Sequence, residues 1–181
     1  MAASDLFLFD NPLHRKRAAA ILPRLPELRG NLIRIQSAEG LRDRRGPVHA
    51  GAFLRERRIA FDCTRAEFPR IFIHEVAHFI WLRLGNTTRR AYEDVLGEEL
   101  GARAQGELGW SAEWRKDALS THDIVGRSRR WREYCCESFC DTAAWLFSGA
   151  PGHSEFTLAH VWRRRRKSWF LETLGGRTLS I

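Results

Sequence analysis

Lysine is almost missing from this chain of 181 residues. Three lysines stand beside twenty-seven arginines, so the net charge of +8 is carried almost wholly by guanidinium groups. Long apolar runs are missing as well. None approaches the roughly 18–20 residues of a membrane-spanning helix, which argues against a transmembrane protein. The stretch Leu6–Phe9 is too short for the apolar segment of a secretory leader and is flanked by Asp5 and Asp10. Cysteine is sparse and clustered: Cys135, Cys136 and Cys140 share one segment and only Cys63 lies elsewhere. A secreted disulfide framework would spread its cysteines along the chain, so reduced core thiols and a soluble, cytoplasmic protein are expected. The arginine runs Arg42–Arg45, Arg55–Arg58, Arg127–Arg132 and Arg163–Lys167 are scattered and interrupted by acids such as Asp43 and Glu56. They read as solvated faces, and nucleic acid is a less favoured partner because no nucleic-acid module is recognisable.

What is present suits a single domain over 1–181, with seven tryptophans and eleven phenylalanines to build a core. Asp10-Asn11-Pro12 marks a helix start, and Pro23 and Pro26 stop that helix near Leu22. Asn31–Gln36 reads as a short strand. Val48–Cys63 reads as a β-hairpin, with strands His49–Leu54 and Arg58–Cys63 about a polar turn. Helical patterns follow over Phe68–Leu84, Thr87–Leu108, Ser111–Leu119, Arg127–Phe147 and Phe156–Leu174. The fold class expected is α+β, with a small, mostly antiparallel sheet packed on the Phe68–Leu84 helix. The core spans about 31–147, residues 86–126 form a helical connection or lid, and 153–175 form a basic C-terminal helix.

The chemistry concentrates in His74-Glu75-Val76-Ala77-His78. Histidines four apart on a helix project from one face, one turn above the other, and can reach one tetrahedral ion. Glu75 sits beside them, placed to take a proton from water without occupying the metal. The flanking residues Ile71, Phe72, Ile73, Phe79, Ile80, Trp81 and Leu82 make this helix apolar nearly all round. Buried polar groups need partners, and a metal ion satisfies these together. Downstream, Glu137 and Asp141 are four apart on another largely apolar helix. Glu137 is the candidate third ligand, and Asp141 the acceptor for the ring N–H of a ligand histidine. Cys140, and less readily Cys136, is an alternative third ligand, since thiolate binds zinc well.

HExxH followed far downstream by Glu-x-x-x-Asp resembles the gluzincin metallopeptidases, and the short chain is similar to their minimal ImmA/IrrE-type members. The resemblance covers about residues 48–147. It implies one zinc ion on His74, His78 and Glu137, Glu75 as general base, and Asp141 orienting His74. It also implies an edge strand before the active-site helix that pairs with substrate backbone, at Arg58–Cys63. The family stabilises the oxyanion with a histidine or tyrosine. Tyr134 is the first candidate here, and Tyr92, His122, His153 and His160 are others. The implied activity is peptide-bond hydrolysis, with a peptide or protein as substrate. Two alternatives remain: a metal-containing regulatory or nucleic-acid-binding protein working through its arginine-rich surface, and a toxin-like or self-processing enzyme acting on one partner.

Overall fold

A computed structural model describes residues 3–43, 46–150 and 152–181. Arg44 and Arg45 of the Arg42–Arg45 run lie outside these residues. After a 3-10 turn at Ala3–Leu6, strand β1 (Phe7–Phe9) leads into α1 (Pro12–Ile21), whose first turn is capped by Asn11 accepting the N–H of Leu13. Next come β2 (Leu28–Arg29), β3 (Ile33–Ser37), β4 (Ala50–Phe53) and β5 (Arg58–Phe61). The helical part follows as α2 (Phe68–Arg83), α3 (Asn86–Gly101), α4 (Trp110–Asp117), α5 (Thr121–Val125), α6 (Arg129–Phe147) and α7 (His160–Leu174), and β6 (Leu179–Ser180) closes the described chain. No described helix is long and apolar enough to cross a membrane.

The class is α+β, but the sheet is mixed where an antiparallel one was expected. Its order is β1-β3-β5-β4, in which β1–β3 and β3–β5 are parallel and only β4–β5 is antiparallel. The physical cause lies in the connections. Helix α1 carries the chain from β1 back to the start of β3, a crossover that forces the pair to run the same way. The β4–β5 hairpin then returns so that its second strand, rather than its first, joins β3. Consequently Arg58–Cys63 supplies an interior strand, and β4 becomes the edge. A two-stranded parallel pair, β2 with β6, ties the last described residues to the chain ahead of β3.

Burial follows composition. In β3, Ile33 and Ile35 are fully buried while Arg34 between them is exposed. Central β5 buries Ile59, Ala60 and Phe61 in succession. Helix α2 begins with Pro69 in its first turn, where the missing N–H costs no helical bond. Its Phe68 and Phe72 rings stack at 5.5 Å and meet Phe61 and Phe7 of the sheet. The opposite side of α2 runs along α6 in the most extensive helix–helix contact of the fold. One apolar cluster thus joins sheet, α2, α3, α6 and α7.

The helical pattern over Thr87–Leu108 ends early, at Gly101. Arg103 and Gly106 take φ of 56° and 75°, left-handed values that no α-helix contains. The extended strap that results carries Glu107 inward to Arg166 and Leu108 onto Phe156 and Leu158. Arg166 is a second departure. It belongs to the Arg163–Lys167 run read as solvated, yet it is wholly buried between Glu99 of α3 and Glu107 of the strap, with bonds of 2.6 Å and 2.7 Å. Of residues 86–126, α3 is built into the body through Tyr92 and Leu96, and α4 packs on α6.

Candidate metal centre

Helix geometry sets the site. One turn separates His74 from His78 on α2, and their Nε2 atoms converge to 3.2 Å. From α6, Glu137 brings Oε2 to 3.4 Å from the His74 Nε2 and 3.9 Å from that of His78. A tetrahedral ion bound at roughly 2.0–2.2 Å separates its nitrogen and oxygen donors by about 3.3–3.5 Å. The three observed separations bracket that value.

The outer ring atoms are held as well. His74 Nδ1 stands 2.8 Å from Asp141 Oδ1. A carboxylate can only accept, so this nitrogen carries a proton, and Nε2 offers its lone pair inward whenever the ring is neutral. His78 Nδ1 lies 3.5 Å from Cys136 Sγ. The second oxygen of Asp141 accepts the backbone N–H of Ala112 at 3.1 Å. This bond brings α4 against α6 so closely that a Cβ on Gly109 would fall 2.2 Å from the Asp141 carboxyl carbon. His74, His78 and Cys140 also offer one donor atom each within 4.8 Å of one another, so the thiol of Cys140 sits beneath the same pair.

Electrostatically the cluster calls for positive charge. Burial disfavours a protonated His74, but the carboxylates of Asp141, Glu137 and Glu75 outweigh it and raise this imidazole well above its usual value. Burial likewise works against a charged His78, while Cys136 and Glu137 bring it up to about 9. Burial would raise Glu137, yet the two imidazoles and Arg115 take it down to about 2. Carboxylates and imidazoles directed at one point need positive charge among them, which a proton or a metal ion supplies.

Glu75 projects beside this point. Burial raises its carboxyl above the ordinary range, and its contacts include a backbone hydrogen bond with Ala52 of β4. Its Oε2 is buried without any hydrogen-bond partner. The cleft over the site holds about 670 Å³ and has three walls. These are the β4 edge at Ala50–Ala52, the α2–α6 floor, and α4 with Trp110, Ser111 and Arg115.

Five of the six residues singled out from sequence therefore meet at one place: His74, Glu75, His78, Glu137 and Asp141. Tyr134 does not. One turn ahead of Glu137 on α6, it meets the strap that carries Glu107 instead of the cleft. It is fully buried and donates its hydroxyl to Glu107 at 2.6 Å, beside Arg166. Tyr92 is equally buried, 2.9 Å from Thr142 Oγ1. His122 and His160 are exposed on other surfaces, and His153 pairs with Glu67 at 3.2 Å. Arg115 was missed. Its guanidinium lies 3.0 Å from Glu137 Oε1, and no motif surrounds it that could have pointed to it.

Comparison with known proteins finds no matching family model, no similar curated protein and no similar solved structure.

Proposed function

We propose that the protein is a zinc-dependent hydrolase of peptide bonds, with one ion held by His74, His78 and Glu137 and with Glu75 as general base. One observation carries the proposal: two imidazole nitrogens and a carboxylate oxygen converge to within 3.2–3.9 Å of one another, beside a buried glutamate oxygen that has no partner. The nitrogen and oxygen donor set is the one zinc accepts, and three protein ligands leave a coordination place open. A zinc ion in such a place supplies a Lewis acid for the scissile carbonyl and brings the pKa of water toward neutrality.

The remaining work belongs to the side chains. Asp141 fixes the tautomer and orientation of His74, and Cys136 abuts the outer nitrogen of His78. Glu75 takes the proton of the attacking water and passes it to the departing amine. Its elevated carboxyl sits nearer neutrality than a solvated glutamate, which suits transfer in both directions. The preference for a peptide rests on β4. This edge strand pairs on one side only, and its small residues Ala50, Gly51 and Ala52 leave its other side open along the cleft. An extended substrate chain can add to such an edge through main-chain hydrogen bonds.

The test is Glu75→Gln against a quenched-fluorescent peptide library. The variant should retain one zinc per chain and lose turnover by about a hundredfold or more. Turnover equal to wild type would remove Glu75 from the mechanism.

A second reading is favoured by Cys140. Should its thiolate complete the metal shell, the site would be closed and structural, and a regulatory role would rest on the arginine surface. That surface is partly neutralised, because Arg58, Arg70, Arg127, Arg129 and Arg165 all engage carboxylates. A cobalt-substituted protein with a sulfur-to-metal charge-transfer band, together with nucleic-acid binding that weakens steeply with salt, would favour this alternative.

A further inference from the structure

We propose that Arg115 is the catalytic residue that stabilises the oxyanion formed on the scissile carbonyl, in the absence from the cleft of any tyrosine placed for that role. The proposal rests on the hydrolase reading above and adds to it the electrophile that reading lacks.

Arg115 is pinned from three directions. Its NH1 donates to the carbonyl of Ser111 one turn back at 2.7 Å, NH2 pairs with Glu137 Oε1 at 3.0 Å, and the guanidinium stacks 4.1 Å from the Trp114 ring centre. The side chain therefore need not be ordered when charge develops, and preorganisation of this kind gives oxyanion donors their strength. Its position is equally specific. The other oxygen of Glu137 faces the imidazole pair, so the guanidinium stands across the Glu137 carboxylate from the point where the two nitrogens converge. The side chain lines the cleft and keeps 23% of its surface exposed. Charge points the same way. Glu75, Glu137 and Asp141 contribute three negative charges, and a divalent ion leaves one uncompensated, which Arg115 neutralises.

The step balances as follows. The water oxygen bonds to the carbonyl carbon while Glu75 takes a proton, and the carbonyl π pair moves onto its oxygen, where the Arg115 N–H groups hold it. The pair then returns, the C–N bond breaks, and the nitrogen leaves with the proton from Glu75.

Among the described residues, His49 is the one other imidazole along the cleft, exposed and 3.4 Å from the carbonyl of Asp62. It is the rival for the role.

The experiment uses the full, zinc-loaded chain as wild type, Arg115→Ala, Arg115→Lys and His49→Ala. Inorganic phosphate serves as a tetrahedral oxyanion probe by calorimetry, and the peptide library reports kcat and KM. Arg115→Ala should keep its zinc, bind phosphate about tenfold or more weakly, and lose kcat by about a hundredfold or more with KM within about threefold. Arg115→Lys should fall between, because an ammonium restores charge without the planar fork. Three results would overturn the proposal. These are unchanged phosphate binding and kcat in Arg115→Ala, the losses appearing in His49→Ala instead, or zinc lost from Arg115→Ala and Arg115→Lys alike, which would leave Arg115 only a brace for Glu137. A wild-type chain without zinc, or Glu75→Gln with full turnover, would instead fell the hydrolase reading itself and Arg115 with it.

Discussion

Asp141 holds His74 across 2.8 Å with one carboxylate oxygen while its other oxygen receives the N–H of Ala112 at 3.1 Å. A single side chain on α6 thus sets the orientation of an imidazole on α2 and the position of α4, which forms the far wall of the cleft. Loss of such an outer contact costs about 10- to 100-fold in metal affinity. Asp141→Ala should show a loss of that size in competition with a chelator. Gly109→Ala should act in the same direction, because the added methyl would meet the Asp141 carboxyl at 2.2 Å. Equal affinity in wild type and Asp141→Ala would show that the His74 orientation does not depend on it.

Arg166 carries the stability of the helical half. It is fully buried and bonds Glu99 and Glu107, and Glu107 also accepts from Tyr134. Removing the cation would leave Glu99 buried without its partner and Glu107 with Lys116 alone as a cation, 3.6 Å away. Breaking a buried pair in this way costs about 3–5 kcal/mol, so Arg166→Met should lower the urea midpoint accordingly. A loss under about 1 kcal/mol would mean that the carboxylates find water or protons readily.

The fold was legible wherever one element's own residues decide its state. Helix α2 declares itself by apolar residues on every face and by Pro69 in its first turn, and β3 by Ile33 and Ile35 flanking Arg34. The same holds for the site. His74 and His78, and then Glu137 and Asp141, are pairs within one helix, so 3.6-residue periodicity alone put each pair on one face. Relations between elements were hidden. Nothing local tells a hairpin which of its strands will join β3, so the parallel β3–β5 pairing and the edge position of β4 could not be read. Strand β1 has only Phe7, Leu8 and Phe9 and shows no period. Arg166 lies within a charged run that looks solvated, and its burial depends on carboxylates 67 and 59 positions away. Arg115 was hidden for the same reason, since its partner Glu137 belongs to another helix.

Acid stability should depend on Asp123. Hydrogen bonds from Ser120 and Ser128 hold its carboxyl down to about 2, below the 3.8 of a free aspartate. Ser120 and Asp123 also close a capping box at the start of α5. The unfolded chain binds this proton more readily than the folded one, so the contribution is complete above pH about 4 and disappears as pH falls through about 2. Asp123→Asn should melt below wild type near pH 6, and the gap should shrink toward zero near pH 2. A gap that stays constant with pH would contradict the assignment.

The most direct measurement is the zinc content of the purified chain and of single-ligand variants by elemental analysis. One zinc per chain is expected in wild type and in Cys140→Ser, with loss in His74→Ala, His78→Ala and Glu137→Ala. A wild-type chain without zinc, or one that keeps zinc in Glu137→Ala but loses it in Cys140→Ser, would contradict the open three-ligand centre.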